Sequence, residues 1–297
     1  PPRSTPLYSS AASDVYKRQH ITHVIRGDDH ISNTTRQILI QEALGAPRPL
    51  YAHLPLILAS DRSKLSKRNG ATSLLEYREE GFLPEAIVNY LALLGWSPGS
   101  DEEHFSLDEL CRVFDLDGVQ KSGAVWDHEK LLSVNQRWMR TLTTEDYLAR
   151  GEFENRDRDM LTKAVPLLKE RARTFKEATM MLEGELRGLF VAPELVKEIL
   201  IAKEPKDYPQ ATKIALESLL QALEALPEGL SIEALKDVIM PLADAEEAKG
   251  KGGRGMMLWP LRYALSGQER SPDPFTYMYI LGLHEAVSRV RTALGIL

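Results

Sequence analysis

The chain has 297 residues, which is long enough for more than one hydrophobic core, so a single domain is not expected. Hydrophobic residues make up 43% and charged residues 27% of the chain, and no apolar run approaches the roughly 18–20 residues of a membrane span. The single cysteine excludes an intrachain disulfide framework and a cysteine-rich zinc site, and the net charge of −6 does not by itself indicate a nucleic-acid-binding protein. We therefore expect a cytoplasmic protein with no membrane segment.

Residues 1–19 differ in character from the rest of the chain. They are rich in Pro and Ser, show no hydrophobic periodicity, and lead into a strand-like segment without a turn signal. They are similar to the translated read-through of a sequencing adaptor, so we interpret them as a non-native leader and leave them out of the fold prediction. On this interpretation the native protein continues further toward its N-terminus, and the printed chain is a truncated product.

The segment that follows predicts a strand, a helix and a second strand. The β-branched run at 21–25 is typical of a strand that is buried on both faces. A helix is predicted to open with Ser32 or Asn33 as its N-cap and to stop at Gly45, and the apolar run at 54–58 predicts the second strand. The strands of such a unit are parallel, and functional residues lie just past their C-terminal ends. The sequence places residues 26–30 and 60–70 there.

Beyond about residue 72 the sequence favours helices alone. Pro84 is typical of a first helical residue, Ser106 opens a capping box with Glu109, and Asp127 is placed to cap another helix. Further helices are predicted at 157–187 with an interruption at Pro166, and at 193–202, 209–226, 231–243, 274–282 and 284–294. The predicted fold class is therefore a partial α/β domain followed by an all-helical region.

The loop at 61–70 carries the strongest chemical signal. Its basic side chains number four within seven residues, namely Arg62, Lys64, Lys67 and Arg68, and they follow directly on a predicted strand. A cationic loop in that place can donate charge-assisted hydrogen bonds to phosphate oxygens and stabilise the charge that builds up as pyrophosphate leaves. A solvated surface loop remains the alternative on composition alone.

The order of residues in this loop resembles a known signature. The run KLSKR at 64–68 resembles the KMSKS signature of class I aminoacyl-tRNA synthetases, in the form typical of bacterial glutamyl-tRNA synthetases. Further blocks of the chain resemble the same family in the same order: 23–30 (HVIRGDDH), 53–58 (HLPLIL), 76–96, and 258–267 (LWPLRYALSG). The likeness extends from about His20 to Leu297.

The resemblance implies a domain organisation. Residues 20–78 are expected to form the C-terminal part of a Rossmann-type catalytic domain that includes the KLSKR loop. Residues 79–144 are expected to form a helical stem-contact region, and residues 145–297 a helical anticodon-binding domain.

The resemblance also implies roles in ATP binding and catalysis. The residues implied in ATP binding are Lys64, Ser66, Lys67, the backbone of Leu56 and Ile57, and Asp29 and His30. Lys64 and Lys67 are the implied catalytic residues. An exposed Lys64 that only tunes the charge of the loop is the alternative for that residue, and an acid at a helix N-terminus is the alternative for Asp29 and His30.

Two arginines are implied in substrate recognition. Arg26 matches the arginine that holds the side-chain carboxylate of glutamate, a task suited to a planar guanidinium at a strand end. An ion pair with Asp28 or Asp29 is the alternative. Arg262 matches an arginine that contacts an anticodon base. An arginine that covers the side of an amphipathic helix is the alternative there.

The function implied is ATP-dependent ligation of glutamate to tRNA(Glu), with Mg²⁺ accompanying ATP and no zinc site in this chain. The oligomeric state stays open, and a monomer is expected because nothing in the sequence demands more. A HIGH-like signature is not found, because His20-Ile21 and His30-Ile31 lack the following Gly-His. We therefore expect that the printed chain alone does not form glutamyl-adenylate.

Two alternatives to this function stay open. One is a noncatalytic helical module that binds tRNA, although such a module has no need of a phosphate-binding loop. The other is a glutaminyl-tRNA synthetase, whose anticodon domains usually are β-barrels. The helical pattern of residues 145–297 favours glutamate over glutamine.

Overall fold

The computed structural model describes residues 20–65, 73–153, 155–201, 209–248 and 253–297. Residues 1–19, with the predicted non-native leader, lie outside these ranges, as do Ser66, Lys67 and Arg68 of the KLSKR loop. The chain divides into two compact units, the first ending at Trp138 and the second beginning at Met139. The domain boundaries predicted after residues 78 and 144 stay predictions.

The first unit contains the predicted strand–helix–strand element. Strand β1 (His23–Gly27) and strand β2 (Leu50–Leu54) are parallel neighbours, and helix α1 (Ile31–Ala43) connects them. A 3₁₀-helical turn, Asp28–His30, joins β1 to α1. The predicted order and direction of the strands are confirmed, since parallel neighbours need such a crossover connection.

The predicted position of the second strand is wrong. The partner of β1 is 50–54, not 54–58, because Pro55 has no N–H to continue the ladder. Strand β3 (Ile57–Leu58) instead pairs in parallel with β4 (Ala124–Val125) in a second two-stranded sheet. A Cβ atom added at Gly123 would lie 2.7 Å from the side chain of Leu58 and 3.1 Å from the carbonyl oxygen of Leu56, so glycine allows this close approach of the two chain segments.

The expectation that β1 is buried on both faces is also wrong. The side chain of Ile25 in β1 is 52% exposed, and that of Leu50 in β2 is 67% exposed. Helix α1 exposes Leu39 and Ile40 as well. We call β1, α1 and β2 the parallel layer; within the described residues its apolar side chains remain largely open to solvent.

After α1, the first unit contains α2 (Leu74–Glu79), α3 (Pro84–Leu93) and α4 (Leu107–Val113), and α5 (His128–Thr141) begins in it. The capping box of α4 is confirmed, because Ser106 N donates to Glu109 Oε2 at 2.8 Å and Ser106 Oγ accepts from Glu109 N. Pro84 begins α3 as predicted, and Asp127 caps α5 by accepting from Lys130 N at 3.1 Å. One core cluster joins α2, α3 and α5 through Tyr77, Phe82, Ile87, Tyr90, Leu131 and Leu132, and Leu110 of α4 belongs to a second cluster with Trp96 and Phe105.

In the described part of the second unit every regular element is helical, which confirms the predicted all-α region. Its helices are α6 (Thr144–Gly151), α7 (Arg158–Arg171), α8 (Phe175–Glu183), α9 (Lys197–Leu200), α10 (Pro209–Glu224), α11 (Ile232–Ala248), α12 (Gly255–Ser266), α13 (Pro274–Leu281) and α14 (Leu283–Ile296), with a 3₁₀ turn at Arg187–Leu189. None of the described helices is both long and apolar enough to cross a membrane.

The interruption predicted at Pro166 is wrong. Helix α7 continues through Pro166 and ends at Arg171, after which Ala172 is extended. Val165 and Leu168, on either side of the proline, are almost fully buried, so packing offsets the hydrogen bond that proline removes. The new helix begins with Thr174 as N-cap, whose hydroxyl accepts from Glu177 N at 3.2 Å.

Candidate active site

The candidate site lies at the C-terminal end of β1, where the chain enters the 3₁₀ turn. Gly27 closes the strand, and a Cβ atom there would lie 2.6 Å from Oδ1 of Asp29. The glycine therefore lets the Asp29 carboxylate fold back beside the strand end. Gly27 pairs with Leu54 in the parallel ladder, so both strands of the layer end at this place.

The basic loop returns Lys64 to the same place. After β3 the chain turns back on itself, with Ala59 N donating to Ser63 O at 2.8 Å and Leu65 N donating to Ile57 O at 3.0 Å. Arg62 adopts a left-handed backbone conformation with φ of +64° within this turn. Lys64 Nζ then lies 2.8 Å from Oδ2 of Asp29.

The contact between Lys64 and Asp29 is electrostatically favourable for both groups. The hydrogen bond from Lys64 is the main cause that lowers the pKa of the Asp29 carboxyl below its ordinary value. Both side chains are more than one-third exposed, so solvent screens the attraction and its effect on stability is small. The geometry thus places an ammonium group at the strand end without burying it.

Arg26 lies in β1 next to this pair. Its Nη2 donates to Oγ1 of Thr34 at 2.8 Å, and its guanidinium lies 5.6 Å from the centre of the Tyr51 ring. Arg26 Nε is buried and has no hydrogen-bond partner among the described residues. The alternative of an ion pair with Asp29 is not what the geometry gives, since Asp29 pairs with Lys64 and Arg26 has a hydroxyl partner.

Three further residues lie beside Arg26 and have no role implied by the sequence, namely Thr34, Tyr51 and His53. His53 Nε2 lies 2.9 Å from Oγ1 of Thr34, and the rings of Tyr51 and His53 are parallel with centres 6.4 Å apart. Side chains alternate between the two faces of a strand, so the sequence could have predicted that Tyr51 and His53 lie on the same face of β2. The contact of His53 with Thr34 joins residues 19 positions apart, so the spacing of the sequence did not predict it.

The other residues implied in ATP binding have mixed outcomes. The carbonyls of Leu56 and Ile57 accept from Ala124 N at 3.2 Å and from Leu65 N at 3.0 Å, so both serve the local fold. His30 Nε2 is 4.0 Å from Oδ1 of Asp29. Ser66 and Lys67 lie outside the described ranges. The roles of all these residues in ATP binding stay predictions.

Arg262 lies in α12 of the second unit. Its guanidinium lies 4.8 Å from the centre of the Trp259 ring, and its Nη2 donates to Glu269 O at 2.9 Å. Trp259 Nε1 in turn donates to Ile199 O at 2.9 Å. Arg262 is therefore held in place by its own unit, and its contact with an anticodon base stays a prediction.

The signature around Arg262 has a local structural explanation as well. Tyr263 OH accepts a hydrogen bond from Val196 N at 3.1 Å. Gly267 ends α12 with φ of +68°, and a Cβ atom there would lie 2.6 Å from Cβ of Pro193. Both residues fix α12 against the segment before α9.

A metal site is not evident in the parts of the chain that the structure describes. No group of three or more His, Cys, Asp or Glu side chains is arranged there to hold an ion. The charged side chains that the structure places near the end of β1 include Arg26, Lys64 and Asp29.

Two family profiles match the chain. Residues 3–133 match the family described as tRNA synthetases class I (E and Q), catalytic domain, and residues 133–294 match the anticodon binding domain. The first match begins inside the segment 1–19, so the interpretation of that segment as a non-native leader stays a prediction. The order of the two matches is the order predicted from the sequence.

Curated relatives and solved structures carry the same likeness. A glutamate–tRNA ligase from Anaeromyxobacter sp. is 38% identical over 98% of this chain, and one from Acidithiobacillus ferrooxidans is 41% identical over 92% of it. The chain spans about 60% of the length of these relatives. The crystal structure of a glutamate tRNA ligase from Elizabethkingia meningosepticum, in complex with its amino acid, is similar at a TM-score of 0.79 and 33% identity, over 97% of this chain and 60% of that one.

Proposed function

The chain belongs to the class I tRNA synthetases of the glutamate and glutamine type, and from that premise we propose that it serves the ligation of L-glutamate to tRNA(Glu). We use "full-length enzyme" for a polypeptide that carries this chain at the length of its relatives. In the proposed reaction, the α-carboxylate of glutamate attacks the α-phosphate of ATP and releases pyrophosphate. The terminal ribose hydroxyl of the tRNA then attacks the adenylate and releases AMP.

The observation that carries this proposal is that the C-terminal end of β1 holds a guanidinium, that of Arg26 in the strand, and an ammonium, that of Lys64 on Asp29. Arg26 has a buried Nε–H that no described residue satisfies, while Lys64 lies beside Asp29 on the returning loop. A guanidinium suits the side-chain carboxylate of glutamate, because it offers donors in a planar fork. An ammonium on a loop suits the phosphates of ATP, with which Mg²⁺ is expected to enter.

Asp29 has a proposed role as the resting partner of Lys64. Its carboxylate accepts a hydrogen bond from the Lys64 ammonium at 2.8 Å. Phosphate oxygens carry more charge and compete for the same donor. Lys67, the second lysine of the signature, is proposed to contact the leaving pyrophosphate, where one well-placed donor stabilises developing charge.

Glutamate is proposed over glutamine because of the second unit. Its described elements are helices, whereas the β-barrel expected of a glutaminyl enzyme would require strands. The proposed partners are tRNA(Glu), L-glutamate and ATP, and the proposed state is a cytoplasmic monomer.

The test is pyrophosphate exchange by the full-length enzyme in the presence of tRNA, with glutamate or glutamine as the amino acid. We expect exchange with glutamate and little with glutamine, and the Arg26→Ala variant is expected to raise the KM for glutamate about 100-fold while leaving the KM for ATP near its wild-type value. Equal exchange with both amino acids would contradict the choice of glutamate. Tight tRNA binding without any ATP affinity would favour the noncatalytic module.

A further inference from the structure

The hydroxyl of Thr34 lies at the centre of a small network beside the candidate site. It is in contact with three groups: Arg26 Nη2 at 2.8 Å, His53 Nε2 at 2.9 Å, and the carbonyl oxygen of His30 at 3.0 Å. Thr34 belongs to the first turn of α1, whereas Arg26 and His53 face each other in register across β1 and β2. The hydroxyl thus joins the three elements of the parallel layer.

The hydrogen-bonding capacity of the Thr34 hydroxyl determines the direction of each of its three hydrogen bonds. A threonine hydroxyl has one proton and two lone pairs. With the proton donated to His30 O, the lone pairs accept from Arg26 and from His53, which must then carry a proton on Nε2. All the capacity of the hydroxyl is used, and the bond to His30 O anchors it to the backbone. A β-branched side chain adds stiffness, because its χ1 is restricted in a helix.

The same network fixes the plane of the Arg26 guanidinium. Thr34 holds Nη2 at one end of the group, and the Tyr51 ring packs against it with a separation of 5.6 Å. Tyr51 is itself held, because its hydroxyl donates to Gln41 Oε1 at 3.1 Å. Two restraints from different elements leave the guanidinium little freedom to turn, while the buried Nε–H still lacks an acceptor in the described residues.

We propose that Thr34 is a positioning residue for amino-acid recognition, which orients Arg26 toward the side-chain carboxylate of glutamate, and that His53 acts through Thr34. This inference rests on the proposed function, in which Arg26 binds that carboxylate. Removing the hydroxyl leaves Arg26 charged and in place but free to turn. We therefore expect a lower affinity for glutamate and an unchanged affinity for ATP.

The experiment compares three variants of the full-length enzyme in tRNA-dependent pyrophosphate exchange. Thr34→Val keeps the shape and removes the hydroxyl, Thr34→Ser keeps the hydroxyl, and Thr35→Val is the matched control at an exposed neighbour in α1. Thr34→Val is expected to raise the KM for glutamate about 10-fold, as for a lost hydrogen bond to a charged group, with the KM for ATP unchanged. Thr34→Ser and Thr35→Val are expected to stay within about twofold of wild type.

A double-variant cycle tests the part assigned to His53. His53→Phe keeps a ring beside Tyr51 and removes the donor to Thr34, so it is expected to raise the KM for glutamate about threefold. In the Thr34→Val background the same change is expected to add nothing, because its partner is already gone. Additive effects would overturn the claim that His53 acts through Thr34.

The outcomes separate this inference from the proposed function. Wild-type enzyme without glutamate-dependent exchange contradicts the proposed function itself. Active wild type with the same KM for glutamate in Thr34→Val and Thr34→Ser overturns the positioning role alone. An equal rise in the KM for both substrates, together with a lower melting temperature for Thr34→Val, assigns Thr34 to the stability of the layer and likewise overturns it.

Discussion

The parallel layer of the first unit and the helical core of the second bury their apolar side chains to very different extents. In the layer, Leu39 and Leu50 are 61% and 67% exposed, and the best-connected group is a polar network around Thr34. In the second unit, Leu219 and Leu223 of α10 are fully buried, in a helix that packs against α12 and α14. Of these two regions, the one with less apolar burial of its own thus carries most of the residues implied in chemistry.

A buried arginine extends this contrast. Arg289 in α14 donates to the carbonyls of Gly188 at 2.5 Å and Leu265 at 2.6 Å and pairs with Glu285 at 2.7 Å. Each of its contacts satisfies a group of the second unit itself. Arg26 in the layer instead keeps a buried donor without a described partner. An arginine with all its contacts inside the fold stabilises it, whereas one with a spare donor suits a ligand.

The largest expected effect concerns the chemistry assigned to the first unit. Lys67→Ala in the full-length enzyme is expected to slow adenylate formation by about 10²–10³-fold, the usual effect of losing one stabiliser of developing charge. Single-turnover pyrophosphate release measures it, and the matched control is Lys121→Ala, a lysine elsewhere in the same unit. A rate unchanged by Lys67→Ala would remove the catalytic role from the loop.

The contrast in burial is tested directly by one substitution made in both regions. Leu219→Ala is expected to lower the free energy of unfolding by about 3 kcal/mol, because it leaves a cavity in a packed core. Leu39→Ala in α1 removes an exposed side chain and is expected to change it by less than about 0.5 kcal/mol. Urea unfolding followed by circular dichroism measures both. Equal losses would mean that Leu39 is covered in the folded protein.

Arg262 tests whether the second unit also takes part in recognition. Arg262→Ala is expected to raise the KM for tRNA about 10-fold, in line with the loss of one stacking or base contact, and to leave the KM for ATP unchanged. Arg270→Ala, at an exposed position beyond α12, is the control with the same charge change. A lower melting temperature with an unchanged KM for tRNA would assign Arg262 to packing on Trp259.

The smallest effect is expected from the contact between Lys64 and Asp29. Because the pKa of Asp29 is lowered in the folded state, its contribution to stability is present above the unfolded pKa and is lost as the pH falls through the lower folded value. Carboxyl-carbon NMR is expected to report a pKa of Asp29 below that of an ordinary aspartate carboxyl, and Lys64→Met is expected to move this pKa back upward. A titration that Lys64→Met leaves unchanged would mean that the pair does not form in solution.

Features that depend on neighbouring residues were predictable. The capping box of Ser106 and Glu109, the helix start at Pro84 and the cap at Asp127 each involve residues within one turn of helix. The sequence also predicted the parallel order of the first two strands, since a strand–helix–strand pattern has few possible arrangements. Helix ends at Pro166 were predicted wrongly, because burial of the surrounding side chains outweighed a local preference.

The sequence by itself determined the residue types of the candidate site and the families that the chain resembles, since KLSKR and HVIRGDDH are local patterns. Only the tertiary structure decided which of these residues meet. Lys64 reaches Asp29 across 35 positions, and Arg26 shares Thr34 with a histidine from the next strand. The physical reason is that such contacts depend on the strand register and on the path of the crossover. Both arise from the packing of the whole layer, so the contacting residues show no regular spacing in the sequence.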